Sequence, residues 1–184
     1  MRIGKFLYFG DFLVIPVAVL LFAWAAYAAG GAAAIPEWGA SMVFGAALWT
    51  LVEYLIHRYA YHHAPILAPL HDAHHKEPLA FLGVPSFVSS GLILAVCYLP
   101  LRPYAPVLAA GFTSGVMLGY AAYMFVHHAT HHFKIEPGDW LYEARLRHMT
   151  HHYREGVNFG VSTGFWDRVF GTLAARRERT AADV

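Results

Sequence analysis

Cysteine is almost absent. Cys97 stands alone in an apolar run, so neither a disulfide framework nor a thiolate metal site can be built, and any metal must be held by nitrogen and oxygen. Charge is also scarce, at 14% of the 184 residues against about 25% in a soluble domain. No Lys/Arg run interleaves with stacking aromatics, which excludes a nucleic-acid groove. What remains is 58% hydrophobic with a mean hydropathy of +0.42. Such a composition describes one integral membrane domain, residues 1–173, followed by a tail, 174–184, expected to be flexible because Arg176, Arg177, Glu178 and Arg179 lack any apolar period.

Four stretches approach the roughly 17–25 apolar residues that a hydrocarbon core requires: Phe12 to Ala29, Trp38 to Ile56, Val84 to Leu101 and Val107 to Phe125. The third is barely long enough, and Pro100, Pro103 and Pro106 mark a tight turn into the fourth. Short cytoplasmic loops retain Lys and Arg. Of the 13 basic residues only Arg102 falls on the face opposite the start of the chain, so the N-terminal face is expected to be cytoplasmic. A rival reading takes Arg2, Lys5 and the run to Ala26-Tyr27-Ala28 as a signal peptide; cleavage there would leave the later spans in the same orientation.

All 13 histidines fall in four clusters, and all four lie on that basic face. His71, His74 and His75 share a helix face by their spacing, as do His148, His151 and His152. His127 and His131 are four apart where the fourth span runs out of apolar residues. His57 and His62 are five apart, about 140° out of register on a regular helix, so the spacing predicts a wider turn or a break there. Ten imidazoles exceed the needs of one ion and suit two, whereas His63, His128 and His132 are the extra members of doublets and read as interfacial residues. Among polar neighbours, Glu53, one turn before His57, is the leading candidate to accept the other N–H of a ligating imidazole. Asp72, Glu143, Glu155 and Asn158 are weaker candidates, each more simply read as solvated or structural, and of these Asp72 and Asn158 are carried forward with Glu53. Gly115, Gly119, Tyr120 and Tyr123 read either as helix packing or as the lining of a channel.

Together HRYAYH at His57 to His62, HDAHH at His71 to His75, HHATH at His127 to His131 and HMTHH at His148 to His152 resemble the fatty acid hydroxylase and sterol desaturase superfamily of membrane diiron enzymes. The likeness runs from about Trp49 to Thr172. LGVPS at Leu82 to Ser86 and NFGVSTGFWDRVFGT at Asn158 to Thr172 are similar to the fatty acid hydroxylase branch. The resemblance implies an all-α protein of four transmembrane helices, with a cytoplasmic helical cap over a histidine-rich dimetal site. It also implies a ligand division in which one ion takes His57, His62, His71, His75 and His151, and the other His74, His127, His131, His148 and His152.

Attack on an unactivated C–H bond requires a redox-active metal, which zinc is not. The expected cofactors are therefore two iron ions, with zinc able to fill the site in isolated protein, and O2 as co-substrate. The expected activity is hydroxylation of a fatty acyl chain, at the 2-position or near it, in a membrane lipid. With no haem domain in the sequence, electrons are expected from a separate cytochrome- or ferredoxin-type carrier. The expected location is a bacterial inner membrane or an endoplasmic reticulum membrane. A sterol or carotenoid hydroxylase or desaturase is the alternative within the enzymes. A metal transporter or metal-binding protein is the more distant one, since a carrier needs polar residues near the bilayer midplane and the span interiors carry few.

Overall fold

The computed structural model describes residues 2–175, and among these every regular element is helical. The chain runs α1 (Lys5–Phe9), α2 (Asp11–Gly30), α3 (Ile35–Leu55), α4 (Ala68–Lys76), α5 (Ser86–Ile93), α6 (Pro106–His132), α7 (Tyr142–Tyr153) and α8 (Phe165–Val169). Gly31, at φ +63°, provides the left-handed residue that turns α2 toward α3 through a short 3-10 segment. The first two apolar stretches are thereby joined by a short turn.

Two helical stretches are long and apolar enough to cross a membrane, Lys5–Tyr61 and Pro106–His132. The first contains both α2 and α3, joined by the turn at Gly31. The expected third span is shorter than its sequence suggested: Ser86–Tyr98 is an apolar helix whose second half, Leu94–Tyr98, is wound as a π-helix. Pro85 sets its start, and the proline-rich turn that follows leads into α6. Side chains such as Leu13, Leu20, Trp24, Val43, Phe87 and Val96 point outward and are more than half exposed, an apolar surface that fits lipid.

The central contact pairs α3 with α6. Gly111 lies against the Trp38 carbonyl, Gly115 against Met42 and Ala46, Gly119 against the Trp49 side chain, and Gly45 against the Phe112 carbonyl. Residue numbers rise together along both helices, so the two run parallel. Glycines four apart on one face of α6 bring the backbones into contact, as small residues do between membrane helices. Gly115 and Gly119 are thus packing positions. The parallel course delivers His57 and His62, just beyond α3, and His127 and His131, in the last turns of α6, to the same end of the molecule.

Asp11, one residue before the first apolar stretch, is 1% exposed. Its carboxylate accepts hydrogen bonds from Ser89 (2.8 Å), Ser90 (2.6 Å) and Tyr120 (3.2 Å), which tie α2, α5 and α6 together. The sequence marked neither Asp11 nor these serines. At the other end of the chain, Ala174 N–H donates to Asn158 Oδ1 (2.8 Å), so the packed region extends into the segment expected to be a tail. Residues 176–184 lie outside the described part.

Candidate metal centre

Between Ile56 and Tyr61 the helix that continues α3 is wound as a π-helix. Its i→i+5 register aligns residues five apart, so His57 and His62 face the same space and their rings stack at 5.5 Å. This is the distortion that the spacing predicts. α4 contributes His71, His74 and His75, the last turns of α6 contribute His127 and His131, and α7 contributes His148, His151 and His152. All ten histidines in the spaced motifs are brought together.

They fall into two groups. His57, His62, His71, His75 and His151 place one ring nitrogen each within 4.8 Å of one another, as do His74, His131, His148 and His152. His127 joins the second group through His74, with its Nε2 2.9 Å away, and its ring is 4.7 Å from that of His148. In the first group Nε2 of His71 is 3.1 Å from that of His57 and 3.0 Å from that of His75, and His62 and His151 approach to 3.1 Å. In the second, Nε2 of His148 is 2.8 Å from His131 and 3.2 Å from His152.

His57 Nδ1–H donates to the Phe159 carbonyl (2.5 Å), and His151 Nδ1–H to the Val157 carbonyl (2.8 Å). A neutral imidazole whose proton is fixed at Nδ1 offers only a lone pair at Nε2. Bare acceptors gathered this closely repel unless a cation lies among them. Imidazoles about 2.1 Å from a shared ion and at right angles to each other would be about 3.0 Å apart, close to the spacing found. Both groups therefore fit a metal ion, and imidazole suits zinc, copper, iron and nickel alike.

The histidines of α4 and α7 are also in the right protonation state. Burial, reinforced by neighbouring imidazoles, lowers His74 to about 3 and His152 to about 3, and pushes His71 and His148 well down. Burial also lowers His75 and His151 to about 4. All are neutral at neutral pH, as metal binding would require.

Glu53 does something other than the sequence suggested. Rather than meeting an imidazole, its Oε1 accepts the N–H groups of Val161 and Ser162 (2.8 Å each), and its Oε2 accepts the Ser162 hydroxyl. Facing the segment 157–163, it is drawn to backbone donors that have no helix to satisfy them. Asn158, at φ +57°, likewise bonds to backbone, at Arg147 and Ala174. Asp72 is exposed, and its charge favours protonation of His62 and His75 without a bond to either. Glu155 lies 3.7 Å from His75 Nδ1. Asp167, which sequence reasoning missed, accepts Phe159 N–H and Gly160 N–H (2.8 Å each) and the Thr172 hydroxyl (2.8 Å). Glu53 and Asp167 thus clamp the segment whose carbonyls orient His57 and His151. His128 and His132 stay outside both groups, stacked on each other at 4.2 Å with Phe81 on His132; His63 is also outside.

The fatty acid hydroxylase family model matches residues 42–172, from within α3 to Thr172, whose hydroxyl Asp167 accepts. The chain belongs to the fatty acid hydroxylase family. This hydroxylase-family chain is 36% identical over 147 residues to fatty acid 2-hydroxylase of Rattus norvegicus, covering 71% of the chain and 38% of that protein. It is 30% identical over 150 residues to dihydroceramide fatty acyl 2-hydroxylase FAH2 of Arabidopsis thaliana, covering 75% and 62%. The chain thus spans well under half the length of the rat relative. Among solved structures it superposes on full-length scs7p, of which only the hydroxylase domain is visible, with a TM-score of 0.75 at 26% identity, covering 91% of this chain and 67% of that one.

Proposed function

We propose that residues 1–173 form the membrane domain of a lipid hydroxylase that replaces a C–H bond at the 2-position of a fatty acyl chain with C–OH, using O2. The observation that carries this reading is the convergence of two groups of imidazole nitrogens at the shared end of two apolar, parallel helices. The names of the relatives, fatty acid 2-hydroxylase and dihydroceramide fatty acyl 2-hydroxylase, supply the substrate class and the position.

In this reading His57, His62, His71, His75 and His151 hold one iron ion, and His74, His127, His131, His148 and His152 the other. When bound, the iron pair supplies the redox chemistry by which O2 attacks an unactivated C–H bond. The protein's part is to hold protons at Nδ1 of His57 and His151, so that Nε2 is free to ligate, and to keep that tautomer through the Phe159 and Val157 carbonyls. α4 and α7 form a cap that keeps bulk water from the histidines. α2, α3, the short α5 segment and α6 cross or enter the bilayer, and α6, at 27 residues and about 40 Å, is long enough to carry His127 and His131 beyond the roughly 30 Å hydrocarbon core. The cap lies on the cytoplasmic side of a bacterial inner membrane or of the endoplasmic reticulum, where a cytochrome- or ferredoxin-type carrier supplies electrons.

The test is to express the wild type and His151→Ala in a lipid-rich host under 18O2 and compare total lipids by mass spectrometry. One 18O at carbon 2 of acyl chains, with the wild type only, is expected. Loss of two hydrogens without label would make the chain a desaturase, labelled isoprenoid would move the substrate class, and identical lipids would reject the reading.

A further inference from the structure

Beside the histidine groups lies a chain of aromatic side chains that belongs to neither group. The Tyr61 ring stacks on His71 at 5.3 Å, and the Tyr123 ring on His127 at 5.8 Å and 16°. The Tyr61 and Tyr123 side chains lie close enough to interact, so the two contacts, one to each group, meet. From Tyr123 the path continues to Tyr120 at 6.5 Å, and Trp49 lies against both, 5.4 Å from Tyr120 and 6.4 Å from Tyr123.

The end of this path has a different chemistry from its start. A phenol that gives up an electron becomes strongly acidic, so a stable tyrosyl radical needs a nearby base for its proton. Tyr120 has one, since its hydroxyl donates to Asp11 Oδ2 at 3.2 Å. Asp11 is buried and otherwise bonded only by hydroxyls of Ser89 and Ser90 among the side-chain donors described. Trp49 Nε1, by contrast, is buried with no hydrogen-bond partner among the described residues, so a hole on that indole would have nowhere to send a proton. The arrangement makes Tyr120 the resting place.

We propose that Tyr61, Tyr123 and Tyr120 form an escape route for oxidising equivalents, by which an iron centre oxidised by O2 in the absence of a correctly placed acyl chain is quenched before it attacks its own histidines. One electron passes from Tyr120 through Tyr123 to the iron centre, which is reduced by one electron. The Tyr120 O–H bond breaks, its proton joins Asp11 Oδ2, and a neutral tyrosyl radical and a carboxylic acid result. The route rests on the hydroxylase reading, because that reading supplies the oxidant.

The test uses the iron-loaded chain in detergent with no acyl lipid added, mixed with O2 and freeze-quenched. O2 uptake, electron paramagnetic resonance and peptide mass spectrometry are recorded. The expected result is an organic radical whose hyperfine pattern changes with ring-deuterated tyrosine and which disappears in Tyr120→Phe at equal iron content. In Tyr120→Phe and, independently, in Asp11→Asn, oxygen addition on histidines of the α6 and α7 peptides should rise severalfold. O2 uptake with no tyrosyl radical in the wild type would overturn the route alone, as would a radical that persists unchanged in both Tyr120→Phe and Tyr123→Phe. Absence of O2 uptake would instead remove the hydroxylase reading and the route with it.

Discussion

His71 and His75, one turn apart on α4, bring their Nε2 atoms to 3.0 Å of each other, while His74 between them turns to the other group, 2.9 Å from His127. On α7 the pattern is repeated: His148 and His152 approach to 3.2 Å, and His151 crosses to His62 at 3.1 Å. Each triplet therefore contributes to both groups. Two short helices bind the groups into one unit, and His75 and His152, members of different groups, stack at 4.3 Å.

Acid should weaken the metal-free fold. His74 and His152 near 3, and His75 and His151 near 4, stay neutral in the folded protein, whereas in the unfolded chain they take up protons at about 6.5. Between those values the unfolded state binds more protons, so stability is present in full above about pH 6.5 and falls as pH drops toward 4. Thermal unfolding of apoprotein at pH 7.5, 6 and 4.5 should show a falling midpoint, and a flat or rising one would contradict the assignment.

Inserting one alanine after Ala60 would set His57 and His62 six apart, about 120° out of register on a regular helix, and should turn His62 away from His57. The expected consequence is loss of metal from the first group with the second retained, read as metal content per chain after gel filtration. Unchanged content would mean that the wide turn is not what aligns the pair.

Glu53→Ala should leave the Val161 and Ser162 N–H groups unpaired and loosen the segment that carries the Phe159 and Val157 carbonyls. Metal affinity should fall on the order of 10–100-fold, the usual effect of losing a group that orients a ligand. Competition with a chelator measures this, and an unaltered affinity would show that the clamp on the segment is dispensable.

Gly115→Ala would set a methyl group into the Met42 carbonyl. Forcing α3 and α6 apart should cost about 1–3 kcal/mol, seen as a lower unfolding midpoint in detergent, whereas Gly91→Ala, whose added methyl meets nothing within 4 Å, should leave it close to the wild type.

Much of the centre was legible in the sequence because helical spacing is a local rule. HxxHH fixes which residues share a face, and an interval of five cannot be accommodated without widening the helix. The carboxylates were not legible in the same way. Glu53 lies one turn from His57, but its partners, Val161 and Ser162, are 108 and 109 residues away, and no local pattern says which donors a buried carboxylate will meet. Asp11 sits at the edge of an apolar run, where an acid ordinarily reads as solvated, and only the packing of α5 and α6 around it removes it from water. The α5 segment proved short because a proline sets each end of the apolar run, Pro85 before Ser86 and Pro100 after Tyr98.

The most direct test of the account is the metal content of the purified chain loaded with Fe(II) without oxygen, together with His75→Ala and His74→Ala. Two ions per wild-type chain are predicted, with each variant losing the ion of its own group and keeping the other. A single ion in the wild type, or none, would contradict a two-ion centre built from these ten histidines.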